Sequence, residues 1–191
     1  MKKRCAWVSD HPIYIAYHDK EWGIPVHDNN KLFEAIILDT FQAGLSWLIV
    51  LKKRENFRKA FDNFEPEIIA KYDDQKIQSL LQNEGIIRNK LKIMAAVSNA
   101  VAFLKIREEQ GSFNHYIWQF TGHKTICNHW ENIKQIPAST KESDLMSKDL
   151  KKKGFKFVGT TICYAFMQAI GMVNDHTKEC HRYGKCISSN L

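Results

Sequence analysis

The sequence predicts an all-α protein, and three observations predict it. Only four prolines and nine glycines interrupt the 191 residues, apolar residues recur between them at helical spacings, and no stretch alternates polar and apolar residues as a half-buried strand does. Hydrophobic residues make up 44% of the chain and charged residues 26%, as in a globular protein. The length fits a single domain, residues 1–191.

The first half of the chain predicts four helices. Asp28 is placed to cap the first, which ends at Gly44, and Ser46 is placed to cap the second. Pro66 suits the first turn of a short third helix, and Asp73 or its neighbour opens the fourth. Apolar residues at helical spacing give the first two helices a broad face to bury.

The longest helix is predicted over about residues 88–110, and Gly111 ends it. Its apolar residues are Leu91, Met94, Ala95, Val97, Val101 and Leu104. Ser112 can cap a further turn or two. The periodicity then fades over residues 122–137, which predicts a loop.

Residues 139–171 predict a helix, a short turn and a second helix. The segment from Ser139 to Glu142 has the form of a capping box, Gly154 closes the first helix, and Thr160 can cap the second. The turn, GFKFVG, has a glycine at each end, so its backbone can approach a large partner closely. Amides at the start of the second helix then favour a DNA phosphate. An ordinary helical hairpin with a solvated lysine face is the alternative.

The charge of the chain favours a polyanionic partner. The formal net charge is +7 with an isoelectric point near 9.1, and five lysines flank the hairpin: Lys148, Lys151, Lys152, Lys153 and Lys156. Such a cluster attracts DNA without reading its sequence. No apolar run is long enough to span a bilayer, and no signal-peptide core follows the basic start. We therefore expect a cytoplasmic protein with no membrane partner.

Four residues near the two ends of the chain match a metal site. Twelve residues separate Cys5 from His18, and three separate His176 from Cys180. Two thiolates and two imidazoles are a usual tetrahedral ligand set for structural zinc. One such ion would fasten the first segment of the chain to the last. The spacing alone leaves chance placement of these four residues equally open.

Four stretches of the chain carry a family resemblance: CAWVSDHPIYIAYHDKEWG, QAGLSWLIVLKKRENFRKAF, GFKFVGTTICYAFMQAIG and VNDH. Together they resemble the bacterial DNA-3-methyladenine glycosylase I family, a branch of the helix-hairpin-helix glycosylase superfamily. The resemblance extends from about Cys5 to Cys180. It implies the helix-hairpin-helix glycosylase fold, with the terminal segments joined by one structural zinc ion on Cys5, His18, His176 and Cys180.

The resemblance also implies a pocket for the damaged base. Its aromatic residues fall on Trp7, Tyr14, Tyr17, Trp22 and Trp47. An acidic residue belongs to the helix before QAGLSW, and here it is Asp39, where glutamate is the family's usual residue. The carboxylate is kept on a stem that is one methylene shorter, so its direct contact with the base is an open question. Core packing is the alternative role for each aromatic residue.

DNA contacts are expected at two places. The segment 42–46 resembles the loop with which the family enters the damaged duplex, with Leu45 as the wedge beside Gly44. In the hairpin we expect contacts from Gly154, Lys156, Gly159 and Thr160. Superfamily members that also cleave the DNA backbone usually carry a lysine just after the second hairpin glycine. Threonines stand there in this chain, which predicts a monofunctional enzyme.

These residues suit removal of 3-methyladenine. The base carries a positive charge while it is attached to the sugar, so it leaves readily and needs selective recognition more than acid catalysis. Aromatic faces attract a cationic base, and a carboxylate accepts hydrogen bonds from its edge. Asp175 is placed where the superfamily has a catalytic aspartate, but it precedes a metal ligand, and we expect it to support the metal or to cap a helix.

The sequence therefore predicts a DNA repair glycosylase that flips out 3-methyladenine, hydrolyses its N-glycosidic bond and leaves an abasic site. The expected partner is double-stranded alkylated DNA, and the expected state is a monomer. Two lobes are expected, one over about residues 28–137 and one formed by 1–27 with 138–191. A non-catalytic, zinc-stapled DNA-binding module and a helical protein that handles a small molecule or a metal are the alternatives.

Overall fold

The computed structural model describes residues 2–42 and 44–185. Its α-helices are α1 (Pro12–Lys20), α2 (Asn29–Gln42), α3 (Trp47–Ala60), α4 (Pro66–Ile69), α5 (Asp74–Gln82), α6 (Lys90–Gln110), α7 (Phe113–Trp118), α8 (Lys141–Lys152) and α9 (Thr160–Ala169). Short 3-10 turns lie at Asp62–Phe64, Gln119–Thr121, Ile133–Gln135 and Tyr183–Lys185. The all-α prediction is confirmed. Among the described helices, none has the length and apolarity needed to cross a membrane.

Two short strands were not predicted. β1 (Ile126–Cys127) pairs in parallel with β2 (Val173–Asn174), with Ile126 opposite Val173. Each strand has only two residues, which is too short to show an alternating pattern. The pairing ties the predicted loop of residues 122–137 to the segment that follows α9.

Most helices begin at the predicted caps. Asp28 Oδ1 accepts a hydrogen bond from the amide of Lys31 at 2.9 Å, and Asp73 Oδ1 accepts one from the amide of Lys76 at 2.8 Å. Ser46 precedes α3 without a side-chain hydrogen bond. These caps satisfy amides that have no partner within the helix.

The caps of α8 and α9 differ from the prediction. The capping box of α8 is formed by Thr140 with Ser143, one residue further along than predicted. Gly159 is the N-cap of α9, and Thr160 is its first helical residue. The Thr160 hydroxyl donates to Asp144 Oδ1 at 2.6 Å and lies 2.8 Å from Ser143 Oγ. A side chain held in this way links the two helices and does not cap either of them.

The buried face of α6 differs in part from the apolar residues named in the sequence: Ala95 is buried, and Val97 and Leu104 are partly buried. Leu91, Met94 and Val101 are exposed. The buried residues are Lys92, Ile93, Ala95, Ala96, Asn99, Ala100, Ala102, Phe103 and Ile106. The four alanines on this face let neighbouring segments approach α6 closely, and Ile93, Phe103 and Ile106 fill the core beside them.

Two clusters of buried side chains form the interior. The larger cluster is rich in phenylalanine and gathers residues from α2, α3, α6, α7, α8 and α9. The smaller cluster contains Cys5, Tyr17, Trp22, Leu51 and Cys180, and so joins both ends of the chain. The division into two lobes at the predicted boundaries stays a prediction.

The segment after α1 runs against the end of α9. Gly23 donates its amide hydrogen to the Gln168 carbonyl at 3.0 Å, and Val26 donates to the Ile170 carbonyl at 3.0 Å. Gly171 has φ +75°, and a β-carbon there would lie 2.4 Å from the Ile24 carbonyl carbon. Only glycine fits such a close approach in this conformation. The contact holds the residues around α1 beside the second helix of the hairpin.

Candidate binding pocket and metal centre

Cys5, His18, His176 and Cys180 form one buried cluster. One nitrogen or sulfur atom of each residue lies within 4.8 Å of those of the other three. Cys180 Sγ lies 3.4 Å from His18 Nε2 and 3.5 Å from His176 Nδ1, and Cys5 Sγ lies 3.5 Å from His176 Nδ1. Ligands of a tetrahedral zinc ion with ordinary bond lengths are about 3.3–3.8 Å apart. The donor set and its spacing therefore fit zinc.

The second nitrogen of each histidine is also engaged. His18 Nδ1 lies 2.8 Å from Asp19 Oδ1, and Asp19 accepts two hydrogen bonds from the Arg4 guanidinium at 2.9 and 2.7 Å. His176 Nε2 lies 3.3 Å from the backbone oxygen of Trp22. Such partners orient an imidazole and leave its other nitrogen to bind a metal. The Arg4 guanidinium is the main reason that the pKa of Asp19 lies well below its usual value, so the carboxylate stays charged.

The thiols of Cys5 and Cys180 are joined by a hydrogen bond. A hydrogen bond from Cys5, followed by those from the two histidines, lowers the pKa of Cys180, whereas the same bond and burial raise the pKa of Cys5. A thiolate is therefore favoured at Cys180, and the thiolate is the form of cysteine that binds a metal.

A cavity of about 270 Å³ lies beside this cluster. All five predicted aromatic residues and Asp39 line it. The complete lining is Trp7, Tyr14, Tyr17, Trp22, Asp39, Gln42, Trp47, Ile133, Ile136, Ala165 and Gln168. The structure thus brings together side chains from the N-terminal segment, α1, α2, α3, α9 and the loop before α8.

The aromatic rings form a continuous wall. Trp7 lies edge-on to Tyr14 and to Trp22, with ring centroids 5.1 and 4.9 Å apart, and Tyr17 lies 5.4 Å from Trp47. Tyr14 and Tyr17 share one face of α1, which begins at Pro12 after the cap formed by His11. Trp7 also contacts His18, with ring centroids 5.4 Å apart, so the aromatic wall touches the cluster of Cys5, His18, His176 and Cys180.

Asp39 is the acidic residue in the wall of this cavity. Its side chain is 2% exposed, and its Oδ2 atom has no hydrogen-bond partner among the described residues. The Nε1 atom of Trp47 is buried and without a partner in the same way. Burial raises the pKa of Asp39 well above its usual value. Burial, and then the nearby charge of Asp39, raise the pKa of Tyr17. Within the described part of the chain, an acceptor and a donor in the pocket wall therefore both lack partners.

Sequence reasoning missed five residues that line the cavity. Gln42 lies three residues after Asp39 on α2, and Ala165 and Gln168 are three apart on α9, so helical spacing could have placed them on shared faces. Ile133 and Ile136 come from the irregular segment before α8, where no periodicity indicates which side chains point inward.

Among the described residues, the Asp175 side chain hydrogen-bonds to none of the four clustered cysteines and histidines and caps no helix, unlike the role expected for it. Its Oδ1 atom accepts hydrogen bonds from Asn128 at 2.7 Å and from the Trp130 indole at 2.8 Å. Its Oδ2 atom accepts from the Tyr164 hydroxyl at 2.6 Å and from the Gln168 amide at 2.7 Å. The side chain is 1% exposed. Asp175 thus joins α9 to the segment that leads to Ile133.

The loop between α2 and α3 joins Gln42 to Trp47, and both of these residues line the cavity. Ala43 is outside the described residues, Gly44 has φ +81°, and Leu45 is 39% exposed. Lys92 is buried beneath this end of α2 and donates to the Phe41 carbonyl oxygen at 2.9 Å. A cation at that point stabilises the C-terminus of the helix.

Of the predicted hairpin residues, Gly154 and Lys156 are exposed, and Gly159 and Thr160 are half-buried. Gly154 has φ +100°, and Phe157, a non-glycine residue, has φ +56° and is 39% exposed. Lys156 is exposed, and its backbone is held by the buried amide of Asn99 at 2.7 and 3.2 Å. Sequence reasoning missed Asn99, which sits far away in the chain on α6. Because the Thr160 hydroxyl is bound to Asp144, only its backbone amide remains for an anion.

Comparison with known proteins gives consistent matches. A family model described as methyladenine glycosylase matches residues 7–183. The chain is 50% identical to DNA-3-methyladenine glycosylase 1 of Escherichia coli strain K12 over 181 residues, which cover 95% of this chain and 97% of that protein.

Solved structures of 3-methyladenine DNA glycosylases also match the fold of this chain. A crystal structure of 3-methyladenine DNA glycosylase I matches with a TM-score of 0.92 at 52% identity, over 94% of this chain and 98% of the other. A tyrosine-to-phenylalanine variant of 3-methyladenine DNA glycosylase I, solved in complex with 3-methyladenine, matches with a TM-score of 0.91 at 35% identity, over 94% and 97% of the two chains.

Proposed function

The chain belongs to the methyladenine glycosylase family, and from that premise we propose that it removes 3-methyladenine from alkylated DNA. The reaction hydrolyses the N-glycosidic bond of the damaged nucleotide, releases the free base and leaves an abasic site. The matched relatives are named glycosylases, which supports the enzyme over the non-catalytic DNA-binding module.

One observation carries the proposal: a cavity walled by five aromatic residues contains a buried carboxylate with an oxygen that has no partner in the described part of the chain. A buried polar atom without a hydrogen bond costs about 1–3 kcal/mol, so Asp39 Oδ2 is better accommodated when a ligand fills the cavity. The amino group of an adenine base is a donor that suits this oxygen, and an acceptor on the base suits Trp47 Nε1. The shorter stem of Asp39 still reaches the cavity wall.

The pocket favours the methylated base by its charge. Attached 3-methyladenine is cationic, and a positive ring over an aromatic face gains about 1–2 kcal/mol when it is desolvated. A nearby cation also offsets the burial that raises the pKa of Asp39. Neutral adenine gains neither effect. Because the cationic base is a good leaving group, Asp39 and the aromatic residues act in recognition and are not required as proton donors.

Double-stranded DNA is the proposed form of the substrate. A base must leave the stack before it can enter the cavity, and a damaged base leaves at low cost. Leu45 is exposed beside Gly44 in the loop between Gln42 and Trp47, which both line the cavity, and it suits the space that the base leaves behind. Lys156 and the amides from Gly159 onward suit the phosphate backbone.

The proposed metal is one structural zinc ion held by Cys5, His18, His176 and Cys180. Four protein ligands complete a tetrahedral site, so the ion supplies folding energy and has no open position for a water molecule. The arrangement of the second nitrogen partners supports this role.

Three finer predictions belong to the same proposal. Thr160 and Thr161 follow the second hairpin glycine where backbone-cleaving relatives in the superfamily carry lysine, which supports a monofunctional enzyme. We also propose that the protein acts as a monomer in the cytoplasm.

The test is release of free 3-methyladenine from methylated duplex DNA. We expect release by the wild-type protein and weaker binding of free 3-methyladenine by Asp39→Asn, by about ten-fold. Asp74→Asn, which changes an exposed aspartate at the start of α5, is the matched control and should behave as the wild type. If no base is released while the protein still binds DNA selectively, the protein is a binding module and the proposed function is wrong.

A further inference from the structure

We propose that Gln168 determines the specificity of the pocket by presenting its carbonyl oxygen to the base, and that Asp175 fixes this orientation. The inference rests on the proposed function, and it gives a role to a buried carboxylate that lies outside the cavity. Gln168 lines the cavity and Asp175 does not.

The orientation of the Gln168 amide follows from hydrogen-bond chemistry. A carboxylate can only accept, so the Gln168 group that lies 2.7 Å from Asp175 Oδ2 must be the NH₂ group. The other end of the amide, Oε1, is then the one left for the cavity that Gln168 lines. The Gln168 backbone oxygen is held by the amide of Gly23 at 3.0 Å, so the residue is fixed at both its backbone and its side chain.

Each carboxylate oxygen of Asp175 accepts two hydrogen bonds in this network. Its two oxygens accept hydrogen bonds from Asn128, Trp130, Tyr164 and Gln168, all neutral donors, and the side chain is 1% exposed. A carboxylate in this state has no lone pair directed at the sugar or at a water in the cavity. Asp175 is therefore a positioning residue and not a catalytic residue.

The consequence for the ligand is a pocket wall that contains two acceptors. Once Asp39 is ionised, its Oδ2 atom and Gln168 Oε1 both accept hydrogen bonds, and the amino group of an adenine base supplies two hydrogen atoms. Guanine and hypoxanthine derivatives carry an oxygen at that position. This oxygen accepts hydrogen bonds, so it cannot form one with either acceptor of the wall. The pair therefore selects amino purines against oxo purines, a preference that the aromatic wall alone does not provide.

Replacing Asp175 by asparagine should reverse the Gln168 amide. Trp130 Nε1 can only donate, so the oxygen of the introduced asparagine must stay on the Trp130 side, and its new NH₂ group must face Tyr164 and Gln168. The Tyr164 hydroxyl can accept. Gln168 can accept only if its amide turns over, which presents NH₂ to the cavity.

The experiment measures binding of two free bases, 3-methyladenine and 3-methylhypoxanthine, by calorimetry. Asp175→Asn should weaken 3-methyladenine binding about ten-fold or more and strengthen 3-methylhypoxanthine relative to it. Gln168→Met should weaken 3-methyladenine by about ten-fold without favouring the oxo base. The double variant should match Gln168→Met, because Asp175 acts through Gln168.

Controls separate this effect from a loss of structure. Asn128→Ala removes one donor from the other oxygen of Asp175, so it should cost stability and leave the base preference unchanged. Zinc content and melting temperature are measured for each variant, since Asp175 precedes His176. A preference for the amino base that is the same in wild type, Asp175→Asn and Gln168→Met overturns the inference. A wild-type protein that binds neither base overturns the proposed function instead.

Discussion

Trp22 contacts His176 twice, by its ring and by its backbone. The two rings meet edge-on with centroids 4.7 Å apart, and the Trp22 carbonyl oxygen lies 3.3 Å from His176 Nε2. Trp22 also lines the cavity. A residue of the pocket wall is thus held directly by a residue of the Cys2His2 cluster. Loss of the proposed zinc ion should therefore affect the pocket through packing and not through chemistry at the metal.

The first prediction concerns the metal cluster. Cys180→Ser should remove most of the bound zinc and lower the free energy of unfolding by at least about 3 kcal/mol, because metal binding is coupled to folding. Elemental analysis and thermal unfolding measure both. Cys163→Ser is the matched control, since Cys163 is a buried cysteine of α9 outside the cluster, and it should keep its zinc. A Cys180→Ser protein with full zinc content would contradict the assignment.

The second prediction concerns the cost of burying Asp39. Burial raises its pKa in the folded protein, whereas the unfolded carboxyl titrates near pH 3.9. The folded state therefore binds the proton more tightly, so the stability from this group is complete below about pH 4 and is lost as pH rises through the raised pKa. Asp39→Asn should be more stable than the wild type at pH 8 by about 1–3 kcal/mol, with the gap closing towards pH 4.

Melting temperatures across that pH range, taken without ligand, provide the measurement. Asp74→Asn, on the surface, should show no such trend. A constant difference between Asp39→Asn and wild type at every pH would show that the carboxyl charge is not the cause.

The parts of the site that could be predicted are those that depend on residue type and spacing. Cysteine and histidine at the two ends indicated a metal, and the structure brings Cys5 and Cys180 to the same cluster. The family resemblance placed Asp39 and the aromatic residues, all of which line one cavity. Residue type alone does not single these residues out, because the chain has eight histidines, five cysteines and 21 acidic residues; their spacing and the family motifs do.

The parts that could not be predicted depend on packing between distant segments. Leu91 is apolar and was counted with the apolar residues of α6, but it is exposed. The helix buries Lys92 and Asn99 instead, because they form hydrogen bonds with the backbone of Phe41 and Lys156. Ile133 points to the cavity because β1 and Asp175 anchor its segment, and neither anchor has a local signal.

The third prediction concerns the loop after α2. Leu45→Ala should reduce release of 3-methyladenine from duplex DNA by about ten-fold or more and leave binding of the free base unchanged, because the side chain is proposed to fill the space of the flipped base. The loss should be smaller in single-stranded DNA, where unstacking costs less. Ile49→Ala removes an equally exposed side chain from α3 as a control. Equal losses on both substrates would contradict a role in base flipping.

The last prediction concerns the hairpin. Lys156 is exposed at the turn, and each phosphate that a lysine neutralises releases a bound counterion from DNA. Lys156→Ala should therefore weaken DNA binding by similar factors for all sequences and lower the slope of log K against log salt by about one. Binding measured between about 50 and 200 mM salt gives the slope. Lys71→Ala removes an exposed lysine between α4 and α5 and should leave the slope unchanged. If both substitutions changed the slope equally, the net charge of the protein, and not contact at the hairpin, would account for the attraction to DNA.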